Sequence, residues 1–71
     1  MDVNKIRGLM AEKGENQGDL AKVLNLSRNA VQLKLSNKVD FKAKELKVLC
    51  EHYNVDPNYF FAKEFGKIAN Q

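Results

Sequence analysis

Apolar residues recur at three- and four-residue spacing along most of the chain, the period of an amphipathic helix rather than a strand. Ile6, Leu9 and Met10 make the first such stripe and predict a helix from about Val3 to Lys13. Asp2 is placed to cap its start, and Gly14 to end it in a left-handed turn. A second helix starts near Gln17, with Asn16 as N-cap and Asp19 three residues on, a variant of the capping box. Leu20, Ala21 and Leu24 form its inward face. Asn25 then falls where a left-handed residue is wanted, a conformation that Asn tolerates better than other non-glycine residues. Leu26 plugs the turn, and Ser27 caps a third helix running to about Ser36, with Val31 and Leu35 inward.

Asn37 to Val39 reads as a connector. Asp40 is the expected cap of a fourth helix, about Phe41 to Tyr53, whose core face is Leu46, Leu49, Cys50 and Tyr53. Asn54 ends it and Val55 turns back toward the core. Asp56-Pro57 combines a capping carboxylate with a proline suited to the first helical position, so a fifth helix is expected over about Pro57 to Phe65, stopped by Gly66. The chain is thus expected to be all-α, with one domain over 1–65 and a short loose tail over 66–71.

Composition narrows this picture. The 71 residues suit one small domain, and a hydrophobic share of 44% supports one compact core but no large cleft. A single Cys rules out an internal disulfide and fits a reducing cytoplasm. The longest apolar run, Tyr59-Phe60-Phe61-Ala62, is far too short to span a membrane, and no secretory signal is visible. Charge matters through its distribution. From Lys22 to Lys47 seven basic residues face only Asp40 and Glu45, whereas the rest of the chain is mildly acidic. A positive centre in an acidic frame suits a polyanion, although solvated lysines produce the same pattern.

The stretch LAKVLNLSRNAVQLKL, Leu20 to Leu35, breaks one good helix into two across Asn25-Leu26-Ser27. A tight turn of that kind sends two short helices apart at a steep angle, so that one crosses a surface while the other enters a groove. Small Ala21 permits their close approach, and Leu20, Leu24, Leu26 and Val31 lock the angle. In order and spacing, Gln17 to Leu35 fits the helix-turn-helix template.

Asn16-Gln17-x-x-Leu20-Ala21, Leu26-Ser27-Arg28 and Tyr53-Asn54-Val55-Asp56-Pro57-x-x-Phe60 together resemble the phage repressor and Cro-like (lambda-repressor-like) helix-turn-helix family, over roughly Val3 to Phe61. The resemblance implies a compact five-helix fold in which the second helix crosses the DNA backbone and the third enters the major groove. It implies that Gln17 hydrogen-bonds a phosphate. The chain departs from the family at Lys34, where an aliphatic residue is usual, at Leu35, where glutamate is frequent, and at Asn37, where glycine is usual.

Arg28, Asn29 and Gln32 fall on the outer face of the third helix, opposite Val31 and Leu35. Arginine suits guanine O6 and N7, and Asn or Gln suits adenine N6 and N7. These three are the candidate base readers, each with the alternative of a phosphate contact or a bare surface role. Leu33 either meets a thymine methyl or, with the helix rotated, joins the core. Lys34, Lys38 and Lys42 are the candidate phosphate contacts, with Ser27 adding one beside its capping role. Phe61 and Phe65, four residues apart, are the candidate dimer interface, unless the tail folds back over them.

No catalytic activity, cofactor or metal is expected. Cys50 and His52 lie two residues apart on a helix and so point to different faces. The sequence therefore predicts a cytoplasmic DNA-binding regulator that occupies a palindromic double-stranded operator as a homodimer. A compact switch governed by its own concentration fits this length better than a repressor inactivated by self-cleavage. The alternative is a protein-interaction module on the same fold, such as an antirepressor, because fold does not fix function.

Overall fold

The structure, a computed structural model, describes residues 1–61. Four α-helices follow one another: α1 (Val3–Lys13), α2 (Gln17–Leu24), α3 (Arg28–Leu35) and α4 (Ala43–Tyr53). A 3₁₀ helix, Pro57–Phe61, closes the described chain. The fold is compact and all-helical, and no strand occurs among the described residues.

Short-range chemistry sets most boundaries. Asp2 accepts the Asn4 backbone N–H at 3.0 Å and starts α1. Gly14, at φ 66°, ends it. At α2, Asn16 Oδ1 accepts the Asp19 N–H at 2.8 Å while Asp19 Oδ2 accepts the Asn16 N–H at 2.9 Å. This reciprocal box satisfies two amide donors at the helix start. Ser27 Oγ accepts the Ala30 N–H at 3.1 Å and starts α3. Asn25, Asn37 and Asn54 all take the left-handed conformation, at φ 56°, 62° and 55°.

One core joins these pieces. Ile6, Leu20, Val31, Leu35, Leu49 and Phe60 are almost fully buried, each removal of such a side chain from water being worth about 1.5–3 kcal/mol. Leu26 and Val55, which follow Asn25 and Asn54, pack on its edge. The backbone N–H of Asp2 donates to the Phe60 carbonyl at 3.1 Å, tying the start of α1 to the 3₁₀ helix.

Two elements differ from the sequence expectation. Helix α4 begins at Ala43, with Lys42 rather than Asp40 at the N-cap. Glu45 causes the shift: its Oε1 accepts the Lys42 N–H at 2.8 Å, so the helix starts where Glu45 can reach back. The segment after Asp56-Pro57 is a 3₁₀ helix, with the Tyr59 N–H donating to the Asp56 carbonyl at 2.9 Å. Short helical pieces favour this tighter winding. The expected continuation to Phe65, and the tail over 66–71, lie outside the described residues.

Asn25 gives a direct test of the α2–α3 turn. Its left-handed backbone lets the Leu26 N–H reach the Ala21 carbonyl at 2.9 Å. Asn25→Gly is expected to hold or slightly raise the melting temperature. Asn25→Val is expected to cost about 1–2 kcal/mol, because a β-branched residue resists positive φ. Equal melting temperatures for the two variants would refute the conformation.

Candidate nucleic-acid interface

The three residues Asn25-Leu26-Ser27 separate α2 from α3, and Val31 and Leu35 bury the inner side of α3. Arg28, Asn29 and Gln32 are consequently exposed on its outer side. Leu33 is half-buried and lies outside the core cluster, on the same outward side as Asn29. Arg28 occupies the edge nearest α2. Its guanidinium lies over the first turn of α2 beside Gly18 and Asn16. Gln17 is half-buried at the first position of that turn. One continuous polar face thus joins the start of α2 to the outside of α3.

The connector extends this face. The Lys38 and Val39 N–H groups donate to the Leu33 carbonyl at 2.9 and 3.3 Å, so the backbone under Lys38 is held against the end of α3. Lys38 and Lys42 are exposed, as are Lys44 and Lys47 on α4.

Lys34 corrects the sequence reading. Expected at the phosphate backbone, it is instead buried, at 5% exposure. Its Nζ lies 2.9 Å from Glu45 Oε1 and donates to the Asp40 carbonyl at 3.0 Å. The Phe41 ring centroid is 5.7 Å from Nζ. The physical reason is helical spacing: Val31, Lys34 and Leu35 share one face, so the lysine must enter the core with them, and there it needs a carboxylate.

Phe61, one of the expected dimer contacts, is half-buried and packs against the core. With Met1, Val3, Val39 and Phe41 it lines a groove of about 310 Å³. Phe65 lies outside the described residues.

Four contacts escaped the sequence reading. Arg7 Nη2 donates to the Leu35 carbonyl at 3.2 Å, strapping α1 to the carbonyl end of α3, a favourable place for a cation. Glu15 accepts the Tyr53 hydroxyl at 2.7 Å and pairs with His52 Nε2 through its other oxygen. Lys13 Nζ donates to the His52 carbonyl at 3.0 Å. His52 therefore serves the α1–α4 junction, while burial, reinforced by Asp56 and Glu51, pushes the Cys50 thiol pKa up and disfavours the thiolate. Among the described residues, no group of three or more His, Cys, Asp or Glu is placed to hold a metal.

The Glu45 and Glu15 carboxylates make acid stability testable. Burial pushes the Glu45 carboxyl up, but the Lys42 N–H and the Lys34 ammonium outweigh it and leave the pKa below the ordinary 4.5. Burial likewise opposes ionisation of Glu15, and Tyr53, His52 and Lys13 reverse that balance. A lowered folded-state pKa contributes stability that is complete above the unfolded value and drains as pH falls through the folded one. The melting temperature is expected to fall below about pH 4.5, with a shallower fall for Glu15→Gln. A parent melting temperature unchanged from about pH 6 to about pH 3 would refute both assignments.

These features define a class: a small all-helical domain whose exposed α2–α3 face carries arginine, amides and flanking lysines. The chain belongs to the family described as protein of unknown function (DUF739), whose model matches residues 1–64. No curated protein and no solved structure matches it.

Proposed function

We propose that the chain is a sequence-specific double-stranded DNA-binding regulator of the phage repressor and Cro-like type, with α2 and α3 as its helix-turn-helix. The observation that carries this reading is the exposed face of α3, where Arg28, Asn29 and Gln32 stand together beside the exposed Lys38 and Lys42. Planar bidentate donors and amides on a helix fit the major-groove edges of base pairs, and the lysines fit phosphates on either side. Helix α3 enters the groove while the start of α2, with Gln17, meets the backbone. One recognition helix touches few base pairs, so the operator is a palindrome read by a homodimer, with half-sites about 34 Å apart. Phe61, with Phe65 beyond the described residues, is the proposed dimer contact. Regulation follows from occupancy: the bound dimer blocks polymerase or a competing regulator. Among the described residues, no helix is long and apolar enough to cross a membrane, which accords with a protein working on cellular DNA.

The test is retention on duplex DNA across a salt gradient, followed by selection of bound sites from random sequence. Tight retention at low salt, steep release as salt rises and one enriched palindromic motif are expected. Retention that ignores salt, or none at all, would reject DNA binding in favour of a protein-interaction module.

Lys38→Ala sharpens the test. Its exposed side chain stands on a backbone held to the end of α3. Removing one phosphate contact is expected to weaken binding to all sequences alike and to lower the salt slope by about 0.9. Altered site preference at a fixed slope would mean that Lys38 reads bases.

A further inference from the structure

Gly18 stands in the first turn of α2, where its backbone does not need glycine: among the described residues Gly14 is the one glycine at positive φ. Glycine there lowers helix propensity relative to alanine. What the position uses is the missing side chain. A Cβ built on Gly18 would stand 3.2 Å from Arg28 Nη2, 3.5 Å from Arg28 Nε and 3.2 Å from Asn16 Oδ1. The first and last of these are tighter than ordinary van der Waals contact, and Asn16 Oδ1 is already held by the Asp19 N–H. By contrast, a Cβ on Gly8 would meet nothing within 4 Å. Arg28 is exposed and, among the described residues, no hydrogen bond or ion pair holds its guanidinium, which lies in the space that a side chain on Gly18 would enter.

We propose that Gly18 is a specificity-determining position that acts through Arg28: the missing Cβ lets the guanidinium lie against α2, which positions it for a guanine edge before DNA arrives. The inference rests on the DNA-binding reading above. A long arginine side chain loses much rotamer freedom when it is ordered in a complex. A guanidinium already seated on α2 has lost part of that freedom in the free protein, so less is lost on binding. A Cβ at position 18 obliges the guanidinium to give by a few tenths of an ångström, and a longer side chain takes the space it occupies. A side chain at position 18 also crowds Asn16 Oδ1, the capping atom of α2, so the Arg28→Ala background is needed to separate that effect from the displacement of the arginine.

Two measurements test this, one of them without DNA. The heteronuclear ¹⁵N NOE at Arg28 Nε is expected to be high in the parent, high in the control Gly8→Ala and low in Gly18→Leu. A parent value as low as that of Gly18→Leu would overturn the proposal. Affinity for the selected site is expected to fall about two- to tenfold in Gly18→Leu, the cost of immobilising one flexible side chain. In an Arg28→Ala background the same substitution is expected to change nothing, and Gly18→Ala is expected to fall between parent and Gly18→Leu. An equal loss in both backgrounds would overturn the proposal, because Gly18 would then act on α2 itself. If the parent has no salt-sensitive DNA affinity, the DNA reading fails, and the NOE comparison still decides whether Gly18 positions Arg28.

Discussion

Lys34→Ala is expected to destabilise the domain by about 3–5 kcal/mol, the cost of leaving one member of a buried ion pair alone. The Lys34 and Glu45 side chains are 6% and 5% exposed, so the surviving Glu45 carboxylate cannot recruit bulk water without opening the core. The loss extends to the connector, because Lys34 Nζ also holds the Asp40 carbonyl and Glu45 holds the Lys42 N–H that starts α4. For a domain of this size such a loss lowers the melting temperature by roughly 20–35 °C. The double variant Lys34→Met/Glu45→Leu separates pairing from packing. It removes both charges while keeping most of the volume, and is expected to recover part of the stability, the bonds to the Asp40 carbonyl and the Lys42 N–H staying lost. Thermal unfolding of the parent, the single and the double variant is the measurement. A Lys34→Ala variant within about 1 kcal/mol of the parent would show that the pair is solvated rather than buried.

On the proposed DNA-binding function, Arg28→Ala is expected to weaken binding to the preferred site by about 1–3 kcal/mol and to relax the preference at one base pair, a guanine. Its melting temperature should match the parent, since Arg28 is exposed and engaged in no hydrogen bond or ion pair among the described residues. The contrast with Lys38→Ala gives the result its meaning. A base reader changes which sequences are enriched, whereas a phosphate contact changes affinity for all of them. Selection of bound sites with parent and variant distinguishes these outcomes. An unchanged preference would remove Arg28 from base reading and leave Asn29 and Gln32 to carry the specificity of α3.

Much of the architecture was legible because helix formation depends on neighbours within four residues. The limits of α1 followed from the Ile6, Leu9 and Met10 stripe between Asp2 and Gly14, and those of α2 from the Asn16–Asp19 spacing. The left-handed turn at Asn25 and the helix end at Asn54 were legible for the same reason: asparagine is the non-glycine residue that tolerates positive φ best. The outward placement of Arg28, Asn29 and Gln32 is a consequence of helical period once Val31 and Leu35 are known to face inward. Even Lys34 left a trace. It shares a face with Val31 and Leu35, just as Glu45 shares one with Leu49, so two opposite charges lay on two inward faces.

By itself, then, the sequence determined where α1, α2 and α3 begin, where the chain turns between them, and which side of α3 is offered outward. Those properties come from capping, periodicity and backbone preference, all short-range. Tertiary structure alone decided the pairings across the chain: Lys34 with Glu45, Arg7 with the Leu35 carbonyl, Glu15 with His52 and Tyr53, and Arg28 against Gly18. It also decided that α4 starts at Ala43, because the Glu45 that caps it is oriented by a lysine on another helix. Such contacts depend on the angle and distance at which two helices pack. Neither is encoded in the spacing along one of them, and a charged residue on an apolar face becomes a core residue only when a packed neighbour supplies its counter-charge.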